Sequence, residues 1–299
     1  MFSRRHPVLF FLLAMTALTT VMFLGGVILI LSISRMMAGT TAAFQETKGN
    51  IGIIEVTGPI FSSKQVVEHI KIFRDDEKIR AIIIRVNSPG GGVGPSQEIF
   101  RELMKTRETK TVIASMGSVA ASGGYYIAAG ADRIVANPGT ITGSIGVIME
   151  YVNLAELAKK IGISPVVIKS GEFKDLGSPL RELGDTEEKL LQDLVDELHR
   201  QFVLDMALAR NIPDEQMAAL ADGRIYTGQT ALDLNLVDRL GNLDDAVQWA
   251  GELAEIDDKL VPVYPKDTPI SMLRRIAQTL FKEIDISGAI TDNLRYIIN

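Results

Sequence analysis

Apolar and polar positions along residues 51–106 follow the pattern of strand, helix and strand. Residues 51–56 and 81–86 are short, nearly continuous apolar runs, which is typical of strands buried on both faces. Between them, residues 64–76 carry apolar side chains at 66, 67, 70 and 73, which is a helical period. A second helix is predicted at about 95–106. This alternation predicts an α/β fold with a parallel sheet.

The same pattern continues through the rest of the chain. A strand at 111–114 leads into a tight turn at Ser122 and an apolar, alanine-rich helix at 127–131. The remaining predicted elements are strands at 132–136, 166–169 and 223–226, and helices at 153–160, 186–210, 214–221, 242–255 and 270–284. Residues 51–260 are therefore expected to form one folded domain.

The N-terminal segment has a different character, since no residue from 8 to 33 is charged. A helix of that length spans about 39 Å, against roughly 30 Å for the hydrocarbon core of a bilayer. The one candidate cleavage site, at 41–43, lies well past the apolar run, which favours an uncleaved anchor over a cleaved signal peptide. We predict a transmembrane anchor at 8–34 in contact with lipid. A cytoplasmic N-terminus, 1–7, precedes it and a juxtamembrane linker, 35–50, follows it.

Residues 261–299 form a C-terminal helical extension, and its role is left open by the sequence. Its predicted helix carries Arg274, Arg275 and Lys282, which fits a helix that docks on a partner or a membrane surface. A helix packed on its own domain explains the pattern equally well. Both interpretations remain open.

Composition excludes several classes of function. The chain has no cysteine, which excludes disulfides and thiolate metal sites. Its net charge of −6 and its lack of a Lys/Arg cluster argue against nucleic acid as a partner. The phosphate-binding motifs G-x-x-x-x-G-K-[ST] and G-x-G-x-x-G are missing, so the sequence favours nucleotide binding less than other functions.

Two glycine-containing turns are the candidates for chemistry. Residues 88–92 (S-P-G-G-G) follow a predicted parallel strand and place backbone amides at the carboxyl edge of the sheet. Ser122 is followed by Gly123 and Gly124 at the start of a helix, a geometry that suits a nucleophilic serine beside an oxyanion hole. An ordinary Gly-Ser turn that enters a packed helix would have the same local sequence.

A hydrolytic serine needs a proton acceptor, and the three histidines are poorly placed for that task. His6 precedes the predicted anchor, and His69 and His199 fall on helix patterns away from the sheet edge. A lysine is the other common partner, and Lys174, in a glycine-flanked loop, is the best-placed one. A solvated Lys174 that pairs with Asp175 is the simpler interpretation, and burial separates the two.

Four motifs in order resemble the bacterial signal peptide peptidase A family in its short, single-repeat form. They are S-P-G-G-G at 88–92, M-G-S-V-A-A-S-G-G-Y-Y at 116–126, T-G-S-I-G-V at 142–147 and K-S-G-E-F-K-D at 169–175. The resemblance runs from about residue 51 to 256 and includes an N-terminal anchor.

The resemblance implies a role for particular residues. Ser122 corresponds to the nucleophile of the family and Lys174 to its general base. Ser144 corresponds to the serine that holds the lysine amine. The amides of Gly91 and Gly123 correspond to the oxyanion hole, and neither a metal nor a cofactor takes part.

The resemblance also implies a fold and a setting. The fold is of the Clp-protease and crotonase kind, with repeated β-β-α units and a parallel sheet. The chain is expected to form a ring-like homo-oligomer in which serine and lysine meet across a subunit interface. The expected activity is cleavage of remnant signal peptides, by a single-pass protein of the bacterial inner membrane whose catalytic domain lies on the extracytoplasmic side.

Two functions of other classes compete with a membrane-anchored Ser-Lys endopeptidase. A crotonase-type acyl-CoA enzyme would use the glycine-loop amides to hold a thioester enolate. The predicted anchor, and the lack of a pair of glutamates near these loops, argue against that enzyme. A non-catalytic membrane scaffold is the second rival.

Overall fold

The computed structural model describes residues 49–265 and, nearer the N-terminus, residues 8, 11, 15, 16, 19, 20 and 22–25. Most of the predicted anchor and linker lies outside the described residues, as do residues 1–7 and the predicted helix at 270–284. In the described part of the chain, no helix is both long and apolar enough to cross a membrane.

Residues 49–265 form a mixed, mostly parallel sheet of eight strands. The strands are β1 (Ile51–Thr57), β2 (Ala81–Ser88), β3 (Thr111–Ala121), β4 (Arg133–Ala136), β5 (Ile141–Gly143), β6 (Ile225–Thr227), β7 (Arg239–Leu240) and β8 (Pro262–Val263). Their order is β6-β5-β3-β2-β1-β8, and β4 pairs with both β3 and β7. The pair β5 and β6 is antiparallel and the others are parallel. The predicted α/β class is confirmed.

Helices cover both faces of this sheet. They are α1 (Lys64–Asp75), α2 (Val93–Thr106), α3 (Gly123–Ala129), α4 (Ala155–Lys160), α5 (Asp185–Arg210), α6 (Asp214–Leu220), α7 (Gly228–Asp233) and α8 (Leu243–Leu253). Side chains of β1 and β2 alternate between the faces, as the two-residue period of a strand requires. Ile54 and Ile84 pack with the layer that contains α1, α2 and α3, whereas Ile53 and Ile83 face α8. Each fully buried isoleucine stabilises the fold by about 2 kcal/mol relative to exposure.

The central strand β3 changes neighbours along its length, and this change positions the turn that follows it. Residues 113–115 pair with β4, whereas residues 119–121 pair with β5. The register between β2 and β3 shifts between Val86 and Ser88, so β3 carries extra residues there. A bulge of this kind bends a strand and re-aims the residues beyond it. The end of β3 therefore lies between the 88–92 loop and β5.

One predicted strand is wrong. Residues 166–169 form neither a helix nor a strand, and Val166 and Ile168 are 87% and 97% exposed. An apolar run becomes a strand only where a neighbouring strand accepts its backbone hydrogen bonds. No described strand lies beside 166–169, so these residues remain as an exposed segment without regular secondary structure.

Candidate active site

Ser122 lies at the sharp turn between β3 and α3 in a backbone conformation that is unusual for serine. Its φ is 53° and its ψ is −121°. Its N–H donates to the carbonyl oxygen of Gly143 at 2.8 Å, and its own carbonyl accepts from the N–H of Tyr126 at 2.9 Å. A non-glycine residue with positive φ costs roughly 1 kcal/mol or more and persists only where its surroundings hold it. These two hydrogen bonds hold Ser122 in that conformation.

The Ser122 side chain is half-buried, and within residues 49–265 its hydroxyl takes part in no hydrogen bond. A serine at a helix start usually caps the helix by accepting from a backbone N–H. Ser122 makes no such cap. Its hydroxyl is thus presented to an external group, which is what a nucleophile requires.

The 88–92 loop packs directly against the Ser122 turn. Gly90 has a φ of 111°, and a Cβ at that position would lie 2.9 Å from both the Cβ of Ser122 and the amide nitrogen of Gly123. Ile60 fixes the loop from the other side, because its N–H donates to the Gly90 carbonyl at 2.9 Å and its carbonyl accepts from Gly92 at 2.8 Å. Only glycine fits at position 90 in this arrangement.

Two backbone amides close to Ser122 have no hydrogen-bond acceptor among the described residues. These are the N–H groups of Gly91 and Gly123. They lie close together, since a Cβ on Gly123 would be 3.2 Å from the amide nitrogen of Gly91. Gly123 is the first residue of α3 and Gly91 lies two residues before α2, so both amides are near a helix start, where partial positive charge accumulates. Paired amides of this kind can stabilise an oxyanion.

Ser144 is close to Ser122 because of the register of the sheet. Ala121 pairs with Gly143, and each of the two serines follows directly after one of these residues. Ser144 also has a positive φ, of 51°, and its N–H donates to the carbonyl of Arg224 at 2.8 Å. The structure thus brings Ser122, Ser144, Gly91 and Gly123 to one edge of the sheet, at the carboxyl ends of β2, β3 and β5.

Lys174 does not join this group within a single chain. It lies in an exposed turn, where its N–H donates to the Gly171 carbonyl at 3.3 Å. In the described residues its side chain makes no hydrogen bond or ion pair with Ser122, Ser144 or Asp175. The sequence-based pairing of Lys174 with Asp175 is therefore not formed. Asp175 is held instead by Lys169 at 2.6 Å and Arg181 at 2.9 Å.

An ion-pair network fastens the Lys174 segment to the start of α5. Arg181 donates to both carboxylate oxygens of Glu187 at 2.6 Å and also to Asp175. These bonds lower the pKa of Glu187 to about 2, with Arg181 as the main cause and the Gly184 amide as the second. Arg181 and then Lys169 hold the pKa of Asp175 well below its usual range. Both carboxylates are charged at neutral pH.

A protein metal site needs several ligating side chains in one place. In the part of the chain that the structure describes, no three His, Asp or Glu side chains are grouped in that way. The groups that the structure does bring together at the sheet edge are hydroxyls and backbone amides.

Some residues at the site carry no recognisable sequence signal. Ser96, on α2, is buried and donates to the Gly92 carbonyl at 2.9 Å, and a Cβ on Gly123 would lie 2.5 Å from its hydroxyl oxygen. Tyr126 belongs to one of the four motifs but has no role in the sequence prediction, although it contacts Asp205 on α5. Contacts between residues this far apart in sequence follow from the packing of three helices, which no local pattern encodes.

Comparison with known proteins identifies the family. The model of peptidase family S49 matches residues 104–257, and the Clp protease model matches residues 50–140. A Synechocystis sp. protein that is provisionally named a protease is 47% identical to this chain over 232 residues. The match covers 77% of this chain and 83% of that protein. The match to the Clp protease model agrees with a Clp-protease-like α/β fold.

Two further relatives are more specifically named. An Enterococcus faecium protein, provisionally named signal peptide peptidase SppA, is 37% identical over 225 residues, 73% of this chain and 65% of that protein. The chloroplastic serine protease SPPA of Arabidopsis thaliana is 38% identical over 224 residues, 75% of this chain and 32% of that protein. The chain thus spans most of the first relative, somewhat less than two thirds of the second and about a third of the third.

Proposed function

Because this chain belongs to peptidase family S49 and is a serine-type peptidase, we propose that it is a membrane-anchored endopeptidase that uses a Ser-Lys dyad. Ser122 is the nucleophile in this proposal, and Lys174 is the general base. Ser144 orients the lysine, and the Gly91 and Gly123 amides form the oxyanion hole. The observation that carries the proposal is the unpaired hydroxyl of Ser122, among the described residues, beside two amides without acceptors.

The reaction divides into two steps. The neutral amine of Lys174 takes the proton of the Ser122 hydroxyl as the oxygen attacks the scissile carbonyl carbon. The carbonyl oxygen becomes an oxyanion that accepts hydrogen bonds from Gly91 and Gly123. The lysine then returns the proton to the leaving amine, and an acyl-Ser122 ester remains. Water then attacks this ester as it gives a proton to the same lysine, and the lysine returns that proton to the Ser122 oxygen as the second product leaves.

The base is supplied by a neighbouring subunit in this proposal. Within one chain Lys174 is exposed and has no contact with Ser122 or Ser144 among the described residues. Apolar side chains on the same stretch are also exposed, such as Ile148 at 82%, Val166 at 87% and Ile168 at 97%. Clusters of exposed apolar residues of this kind are typical of protein–protein interfaces. A homo-oligomer that covers them would carry Lys174 to the next subunit's serine.

The location and the substrate are inferred from the sequence and from the names of relatives. The uncharged run at 8–33 supports an anchor in the inner membrane, with residues 51–260 on the extracytoplasmic side. Peptides left in the membrane after signal-peptide cleavage are the proposed substrates, in line with the name of the Enterococcus relative. The family match does not favour either the acyl-CoA enzyme or the scaffold.

A fluorophosphonate probe tests the nucleophile directly. The full chain in detergent is expected to be labelled at Ser122 and to hydrolyse a peptide with an apolar core. Ser122→Ala should lose labelling and lower the rate by about 10⁴ or more, because removal of a nucleophile has effects of that size. Retention of a tenth of the wild-type rate by Ser122→Ala would refute the proposal. Ser62→Ala, at an exposed position outside the site, is the matched control.

A further inference from the structure

A cluster of polar side chains centred on Asp205 joins α2, α3 and α5. The hydroxyl of Tyr126 donates to Asp205 Oδ2, and Arg101 Nη2 donates to Oδ1 at 2.8 Å and to Oδ2 at 2.9 Å. Gln97 Nε2 donates to the Tyr126 hydroxyl at 3.4 Å and to Gln201 Oε1 at 3.2 Å. Asp205 is 8% exposed, and polar atoms of other residues surround its carboxylate.

Arg101 and Tyr126 come from the two helices that start next to the proposed oxyanion hole. Arg101 belongs to α2, which begins just after Gly91 and Gly92, and Tyr126 belongs to α3, which begins at Gly123. Asp205 belongs to α5, which packs across both. Tyr126 is also bonded to the nucleophile residue, since its N–H donates to the Ser122 carbonyl at 2.9 Å. One carboxylate therefore ties together the two helices that present the two amides.

Packing restricts Tyr126 to this position. Its ring contacts Phe100 of α2 edge to face, with centroids 5.2 Å apart, and stacks on Phe202 of α5 at 4.4 Å. Burial, with the bond to Asp205 as a second cause, raises the pKa of Tyr126 above its ordinary value. The phenol thus stays protonated across the physiological range and remains a donor.

We propose that Asp205, together with Tyr126 and Arg101, is a positioning group that fixes the spacing of the Gly91 and Gly123 amides. The inference rests on the proposed function, because it assigns a purpose to the oxyanion hole. These side chains do not touch the substrate. They act by holding α2 and α3 at one separation, and so determine where the two N–H groups converge.

An oxyanion hole tolerates little displacement of its N–H groups. Groups that stabilise a transition state must lie within about 0.5 Å of their productive positions, and a misplacement of 1 Å can lower a rate by about 100-fold. The amide nitrogen of Gly91 lies close to Gly123, so a small slide of α2 along α3 changes how both N–H groups meet one oxygen. The oxyanion exists only in the transition state and intermediate. Loss of the spacing should therefore lower kcat and leave KM nearly unchanged.

Two adjacent tyrosines provide a matched pair of variants. Tyr126→Phe removes the bond to Asp205, whereas Tyr125→Phe removes an equally buried hydroxyl that donates to the Leu236 carbonyl at 3.0 Å and makes no hydrogen bond to Asp205 or Arg101. Tyr125→Phe loses one buried hydrogen bond, and Tyr126→Phe loses the bond to Asp205 and the longer bond from Gln97, so both variants should melt at lowered temperatures. Tyr126→Phe is expected to lower kcat by about 30-fold with KM within about twofold, and Tyr125→Phe to keep kcat within about twofold.

A peptide aldehyde supplies a second readout, because its tetrahedral adduct with Ser122 places an oxygen in the oxyanion hole. Its affinity for Tyr126→Phe should fall in proportion to kcat/KM, as expected for a transition-state analogue. If Tyr126→Phe does not fold, Arg101→Lys replaces it as the test. Position 101 is half-exposed, and a lysine there keeps the positive charge but loses the two-point contact that Arg101 makes with Asp205.

The outcomes separate this inference from the function on which it rests. If the full-length wild-type protein neither hydrolyses peptide nor reacts with the probe, both the proposed function and the positioning role are overturned. An active wild type with unchanged kcat in Tyr126→Phe and Arg101→Lys would overturn the positioning role alone. An equal loss of kcat in Tyr125→Phe and Tyr126→Phe would also overturn it, because the effect would then follow stability rather than the Asp205 contact.

Discussion

At the scale of single residues, the site depends on backbone conformations that few side chains tolerate. Ser122 and Ser144 both have positive φ, at 53° and 51°, although serine rarely adopts that region. In this conformation the Ser122 hydroxyl does not cap α3. Neighbouring positions are filled by glycines because backbone atoms of Ile60, Ser88 and Ala121 occupy the space that a Cβ would need.

Substitution of Gly91 by alanine tests this crowding. The added Cβ would lie 2.3 Å from the Ile60 carbonyl oxygen and 2.5 Å from the Ile60 nitrogen, so the loop must shift and carry its amide with it. We expect Gly91→Ala to lower kcat/KM by about 100-fold, the size of effect seen when an oxyanion donor is lost. Peptide hydrolysis measures this directly.

Gly94→Ala is the control for that variant. Gly94 lies three residues further on, within α2, and a Cβ at that position would meet no described heavy atom within 4 Å beyond its own helix backbone. Alanine should raise the free energy of unfolding by about 0.5–1 kcal/mol through better helix propensity and leave turnover unchanged. Wild-type turnover in Gly91→Ala would contradict the assignment of its amide to the site.

At the scale of elements, the sequence predicts the helices and strands whose apolar residues are buried. It misses the strands that form only because a distant partner strand lies beside them. The predicted strands at 51–56 and 81–86 and the predicted long helix at 186–210 agree within two residues with β1, β2 and α5. Their apolar period reflects contact with a core that surrounds them. β7 has only two residues and pairs with β4, so its own pattern is too short to read. The predicted strand at 166–169 is wrong for the opposite reason, since its apolar side chains face solvent.

The segment that carries Lys174 is held by charge rather than by a hydrophobic core, which makes it sensitive to acid. The pKa of Glu187 is lowered from 4.5 to about 2 by Arg181, so its stabilising effect is fully present above pH 4.5 and is lost as the pH falls towards 2. The pKa of Asp175 is lowered in the same direction. Acid should therefore release residues 169–187 before the core unfolds.

Arg181→Gln tests that network. At pH 7 the variant should expose the amides of 169–187 to hydrogen exchange, as acid does to the wild type between pH 4.5 and 2. Exchange in β1 to β3 should not change, because those strands lie in the apolar core. Arg80→Gln, which removes a guanidinium bonded to the Ala254 carbonyl, should leave 169–187 protected and is the control. Equal protection of 169–187 in Arg181→Gln and wild type at pH 7 would contradict this role.

At the scale of the whole molecule, the two parts of the proposed site, Ser122 and Lys174, do not meet within one chain. The resemblance carried by the four motifs implies that Ser122 and Ser144 belong to one site, and the structure places both at one edge of the sheet, where the carboxyl ends of parallel strands meet. The position of Lys174 could not follow from that rule. Its loop is fastened to α5 by Arg181 and projects exposed apolar side chains, so its location in the active protein depends on what covers them.

The most direct test of the shared site is to mix two inactive chains, Ser122→Ala and Lys174→Ala. If each site takes its serine from one subunit and its lysine from the next, about a quarter of the sites in a randomly mixed ring contain both groups. Each variant alone should be inert, and the co-assembled mixture, isolated through different tags, should hydrolyse peptide at about a quarter of the wild-type rate. A mixture that co-assembles and stays inert would contradict the shared Ser-Lys site.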